Sequence, residues 1–328
     1  MPSRAALFLV LTVRAGGEPV VRELLGDLAG LVRSVGFRRP EDRLTCVAGV
    51  GAQVWGRLYE GPRPAGLHPF RELRGARHTA PSTPGDLVFH IRAQQADLCF
   101  ELGSLVTRRL AGAAAVVDEC QGFTYFDQRD LLGFVDGTEN PEGNPALDAV
   151  HIGEEDPEFA GGSYLIVQKY LHDLDSWDRI GSDEQERVIG RTKLSDLELP
   201  DGVQAPDSHV AVNQVVDEDG EEQQIYRANM PFGSLGRGEY GTYFAGYCRT
   251  PDVTEQMLRN MFLGTGEATH DRILDFSTAV TGSLFHIPTA DFLEDGPGPA
   301  AVDASLRLPG RDGSLGIGSL RTAPVEPE

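Results

Sequence analysis

Cysteine is scarce in this 328-residue sequence, and Cys46, Cys99, Cys120 and Cys248 stand far apart with no CxxC pair among them. That scatter excludes a zinc knuckle or a redox dithiol and fits reduced thiols in a cytosolic protein. Basic residues are also few. Against 50 aspartates and glutamates there are 29 lysines and arginines, a formal net charge of -21. Nucleic acid and anionic membranes reward basic patches, so neither is expected as the main partner. No apolar run reaches the roughly 18 residues that a membrane helix requires. Ala5–Val13 (AALFLVLTV) is the one stretch resembling the apolar part of a leader, but no convincing cleavage site follows it. It reads as a buried first strand, and the chain is expected to be soluble and not exported by the Sec route. Finally, the eight histidines, His68, His78, His90, His151, His172, His209, His270 and His286, show no HExxH or related spacing, so a zinc hydrolase finds no support.

What is present is enough apolar residue, 40% hydrophobic with 24% charged, for two packed domains. Strand-like and helix-like periodicities alternate in a readable order. Ala6–Val13 predicts a strand and Val20–Val35 an amphipathic helix with Val21, Leu24, Leu25, Leu28 and Val32 on one face. Leu44–Val50 and Leu87–Ile91 read as strands around a Pro/Gly/His-rich excursion at Gly61–Pro84; Gln95–Leu110 is helical and Ala113–Phe126 holds a strand. The order is β-α-β-β-α-β, the ferredoxin-like arrangement. The same order returns without a residue-by-residue repeat: strand Ser163–Tyr170, helix Asp173–Ile189, strands His209–Val216 and Gly241–Tyr247, helix Val253–Leu263 and strand Gly282–Ile287. Two such units imply an α+β protein with two packed sheets and helices outside.

Between the units lies Leu131–Pro141, LLGFVDGTENP, which sets Asp136 between an apolar run and a tight turn. Desolvation there would raise the carboxyl's proton affinity and suit it to proton transfer. The plainer alternative is that Asp136 only caps its own turn. His209 follows Ala205-Pro-Asp-Ser208 at the start of HVAVNQVV, where a strand would hold its ring rigid. A lone imidazole without a second protein ligand suits a metal held mainly by something else, as in haem. Arg227 and Asn229 in IYRANMPFG lie two apart, so in extended chain they point the same way and can face one anionic oxygen. Surface pairing is the alternative for Arg227 in so acidic a chain. Glu139, Glu198 and Glu222 can likewise be solvated charge or gather around a hard cation such as Mn²⁺.

These segments together closely resemble the dye-decolourising peroxidases, in particular their bacterial B class. GFVDGTENP, SHVAVN and YRANMPFG carry the resemblance, with GGSYLIVQKYLHDLDSW, ERVIGRTKLSD, EYGTYFAGYCR and RILDFSTAVTG in the same order. It spans roughly residues 5–295. The resemblance implies two ferredoxin-like domains around a haem pocket, of the dimeric α+β barrel type, holding haem b. It implies reduction of hydrogen peroxide and oxidation of dyes, phenols or other one-electron donors through an iron-oxo intermediate. His209 becomes the axial ligand of the iron, Asp136, Arg227 and Asn229 the residues facing peroxide, and Arg191 the haem-propionate partner. Asp271 is favoured over Asp275 as the carboxylate behind His209, and Trp177 is a candidate on an electron route. Residues 1–130 then form the first domain, 131–160 a junction with the GxxDG motif, 161–295 the haem-binding domain and 296–328 a flexible tail.

That tail is Pro/Gly/Ala-rich from Gly296 and ends in SLGIGSLR, with Leu315, Ile317 and Leu320 exposed on a tether, the pattern of a docking peptide. It resembles the peptide that targets cargo peroxidases to encapsulin shells. The implied protein is a cytoplasmic homo-oligomer, hexameric in the proteins it resembles, inside an encapsulin nanocompartment. A haem-handling module with incidental peroxidase activity and a calcium-binding DGTENPEGN loop are the alternatives.

Overall fold

The computed structural model describes residues 3–200, 202–217 and 219–298. The docking peptide expected at Leu315, Ile317 and Leu320 lies outside the described residues. In the N-terminal half, the Ala5–Val13 strand is apolar on both faces and pairs antiparallel with Leu87–Ala93 on one side and Ala114–Phe123 on the other. Thr45–Gly51 pairs with the far edge of Leu87–Ala93. Helix Glu18–Gly36 buries Val21, Leu24, Leu25 and Leu28, and helix Ala96–Arg109 buries Leu98, Leu102 and Val106, so each lays one apolar stripe on the sheet. Gly103 lets the second helix approach closely, because a Cβ there would stand 2.4 Å from Leu7.

The C-terminal half repeats this layout, with spatial order Ser283–Ile287, Ser163–His172, Glu239–Cys248, Tyr226–Arg227. The two halves do not form separate sheets, as the sequence order had implied. Val50 pairs with His286 and Gly51 with Phe285, which fuses them into one ten-stranded sheet. Each half would otherwise expose an unpaired strand edge at this point, and the pairing satisfies both. The fused sheet curves until its halves face one another: Phe8 stacks on Tyr243 at 4.3 Å, and Val10, Val88, Leu165 and Val167 share their cluster.

Two local expectations also change. Asp173–Ile189 is not one helix but two, Leu174–Arg179 and Ser182–Ile189, divided at Gly181 with its φ of +75°. More consequentially, HVAVNQVV is no strand. His209–Asn213 is a short helix, because Ser208 caps it by accepting a hydrogen bond from the Ala211 amide. The alternating valines that suggested a strand are overridden by this cap and by Val212 packing into the core.

Candidate functional site

The Leu131–Pro141 loop is fixed from behind. Leu132 and Phe134 pack with Trp177, Val188 and Ile189, and the Trp177 indole donates to the Leu132 carbonyl at 2.9 Å. Trp177, a candidate electron relay on sequence grounds, is therefore buried under this loop. Asp136 follows, its amide held by the Gln128 carbonyl at 3.0 Å, and Gly137 makes the turn with φ +82°. Its carboxylate accepts from Asn229 Nδ2 at 3.1 Å. Burial raises the Asp136 pKa above the usual carboxylate value, while the charge of Arg227 and the Asn229 hydrogen bond pull against that rise. Arg227 is fixed through its main chain. Asn140 from the same turn donates to the Arg227 carbonyl and accepts from the Arg227 amide, both at 2.8 Å. The Arg227 Nε is buried without a hydrogen-bond partner among the described residues.

His209 comes from the other side of the chain's connectivity. Its Nδ1 donates to Asp271 Oδ2 at 2.7 Å. Asp271 is fully buried, and its Oδ1 accepts from the Ile273 amide at 3.0 Å, so one carboxylate caps the Arg272–Asp275 turn of helix and orients the imidazole. Asn213, one helical turn after His209, donates to the His209 carbonyl at 2.8 Å and lies 3.3 Å from Asp271 Oδ2. Burial opposes a charged ring, but Asp271's charge and hydrogen bond outweigh it and hold the His209 pKa above the ordinary histidine value. With Nδ1 engaged, Nε2 is the nitrogen left for a ligand.

His209, Asp136, Arg227 and Asn229 line one cavity, walled largely by apolar side chains such as Phe244, Leu258 and Met261. Apolar walls with a few convergent polar groups are the character of a small-molecule or cofactor site. The family model described as Dyp-type peroxidase, N-terminal, matches residues 2–124, and that described as Dyp-type peroxidase, C-terminal, matches residues 127–292. The chain belongs to the Dyp-type peroxidase family. It is 61% identical to the dye-decolorizing peroxidase of Mycolicibacterium paratuberculosis, over 97% of this chain and 90% of that one. The encapsulated DyP-type peroxidase of Mycobacterium smegmatis superposes with a TM-score of 0.89 at 58% identity, covering 90% of this chain and 96% of that one. DyPB of Rhodococcus jostii matches with a TM-score of 0.88 at 56% identity over the same shares, and variants of it have been solved in complex with heme and with manganese.

Dyp-type peroxidases are haem enzymes, and this chain is a haem peroxidase by membership. The residues present fit that group: an imidazole with one nitrogen fixed and the other free, apolar walls, and a buried guanidinium nitrogen still lacking a partner. Arg191 is not among the lining residues of this cavity. It is tied to Asp196 Oδ1 at 3.0 Å and to Glu139, and Asp196 in turn accepts from Thr138 at 2.7 Å, so Arg191 braces the DGTEN turn. Glu139, Glu198 and Glu222 line an adjoining cavity that also meets His209 and Arg227.

Asn213, Asn140 and Asp130 are the site residues that sequence reasoning missed. Asp130 lines the main cavity and accepts from the Phe134 amide at 2.9 Å. Burial pushes its pKa up to about 7, with the nearby Asp136 charge adding to the rise. The unfolded chain releases this proton near pH 4 and the folded chain near 7, so folding stability from this group falls as pH rises through that window and is level above it. The Asp130→Asn protein has no such proton to lose. Its melting temperature relative to wild type is expected to rise between pH 4.5 and 7 and to level off by about pH 8; a difference that does not vary with pH would contradict the assignment.

Proposed function

We propose that this peroxidase reduces hydrogen peroxide and oxidises small one-electron donors such as dyes and phenols, using haem b, whose iron His209 would hold. The observation that supports this most directly is the convergence of His209 with Asp136, Arg227 and Asn229 on one cavity. Haem supplies the iron that binds peroxide and stores the oxidising equivalents. The chain's own residues do the rest. Asp136, whose proton affinity is raised by burial, would take a proton from one oxygen of peroxide and return it to the other. Asn229 keeps the carboxylate aimed by its hydrogen bond. Arg227 sets a fixed positive charge where the departing oxygen gathers negative charge. Asp271 holds His209 in the tautomer that presents Nε2. The propionate role of Arg191 rests on the resemblance of GRTK to the family pattern, its guanidinium being held by Asp196 and Glu139.

An absorption spectrum tests the proposal. Purified protein reconstituted with haem should show a Soret band that shifts on adding peroxide, whereas no Soret band after reconstitution would overturn it. We further propose that the enzyme works in the cytoplasm as encapsulin cargo, docked through Leu315, Ile317 and Leu320. The SLGIGSLR segment and the encapsulated Mycobacterium smegmatis relative support this. Truncation after Pro309 should leave peroxidase turnover unchanged and abolish co-purification with the shell; continued encapsulation of the truncated chain would refute the docking role.

A further inference from the structure

Outside the haem cavity, three side chains from distant parts of the chain meet with their ligand atoms convergent. His78 sits in the turn between the short strands Leu73–Arg74 and Thr79–Ala80, within the long excursion of the N-terminal half. His270 and Asp275 flank the segment that carries Asp271 in the C-terminal half. His78 Nε2 lies 3.1 Å from Asp275 Oδ1, and His270 Nε2 lies 3.2 Å from the same oxygen. All three ligand atoms fall within 4.8 Å of one another.

We propose that His78, His270 and Asp275 form a binding site for a divalent transition metal, with Zn²⁺ as the best chemical match. Tetrahedral zinc with bonds near 2.0 Å keeps its ligands about 3.3 Å apart, so the two nitrogen-to-oxygen edges already have nearly the spacing of a filled site. Two imidazoles and one carboxylate are a donor set for Zn²⁺ and its neighbours in the first transition row, not for Ca²⁺ or Mg²⁺. The His270 ring is nearly buried and its Nδ1 is 3.0 Å from Thr269 Oγ1, the kind of outer hydrogen bond that fixes a ligating ring. His78 and Asp275 are part exposed, which leaves an entry path and a fourth position for water.

Arg77 is the opposing feature. Its guanidinium is 3.6 Å from Asp275 Oδ1 but is largely exposed, so it competes for the carboxylate and can swing away. A bound metal would clip the excursion of one half to the segment that holds Asp271 in the other. The site rests on these contacts alone and not on the haem assignment.

The test is calorimetric titration of zinc sulfate into full-length, haem-loaded protein first freed of metal with EDTA, with X-ray absorption at the zinc edge to count imidazole ligands. One zinc per chain with two imidazoles is expected. Binding should weaken at least about tenfold in His78→Ala and in Asp275→Asn, the scale of a lost ligand or outer partner. Because loss of affinity alone could follow from misfolding, Arg77→Ala supplies the opposite sign: removing the competing cation should tighten binding. Neither His78 nor Arg77 lines the haem cavity, so the Soret band serves as the folding control. Zinc binding that is unchanged in His78→Ala, zinc coordinated only by carboxylates at Glu139, Glu198 and Glu222, or no binding at all would overturn the proposal.

Discussion

Replacing Arg227 with leucine is expected to slow the reaction with hydrogen peroxide by at least about tenfold while the protein still folds and binds haem, the scale of one lost electrostatic contact to a developing charge. The structure separates the two roles of this residue. Its backbone is held by Asn140 through the main-chain amide and carbonyl, which leucine keeps. Its guanidinium, by contrast, leaves Nε buried without a partner, so the charge is aimed at the cavity and not spent on the fold. Arg227 is also the only lysine or arginine among the described residues lining that cavity. A second consequence carries a sign. Arg227 lowers the Asp136 pKa against the effect of burial, so its loss raises that pKa further. Less Asp136 is then ionised at a given pH, and the rise of the rate with pH should move to higher pH. Stopped-flow rates and a pH profile both equal to wild type would remove Arg227 from the chemistry.

The β-α-β-β-α-β order was legible in the first unit, and in the second apart from the strand misplaced at His209–Val216, because buried strands and amphipathic helices leave different periods in the sequence. Fusion of the two sheets was not. Thr45–Gly51 and Ser283–Ile287 read as ordinary strands, and which edges pair depends on contacts far apart in the chain. Around the site, Asp136, His209 and Arg227, picked out by residue type and local setting, do line one cavity. Positioning residues were harder. Asn213 lies four residues after His209, a spacing that brings side chains together on a helix but carries them about 13 Å apart along a strand, so the strand reading hid it. Asn140 looked like a turn residue because its partner, Arg227, is 87 residues away. Asp130 owes its raised pKa to packing of the loop around it, which composition does not reveal. The same limit applies to His78 and Asp275, 197 residues apart and in no local metal motif.

Asp271→Asn should loosen haem by about 10–100-fold, the usual cost of disturbing the partner of a ligating histidine. Three donors reach the two carboxylate oxygens, His209 Nδ1–H and, at 3.3 Å, the Asn213 amide at Oδ2, and the Ile273 amide at Oδ1. Asparagine has nearly the same shape but only one oxygen. If that oxygen keeps His209, the amide group faces the Ile273 N–H and a buried donor loses its partner. If it keeps Ile273, the amide donates to Nδ1, the imidazole proton moves to Nε2, and the ring is held in a tautomer that cannot ligate iron. In either case the negative charge that makes the imidazole a strong donor is gone, and at zero exposure water cannot replace it. Alanine would be a poorer probe, since it would also remove the cap of the Arg272–Asp275 turn. The measurement is the rate of haem transfer from the variant to an excess of a high-affinity acceptor protein. A rate equal to wild type would mean that packing alone, through Asn213 and the short helix, orients His209.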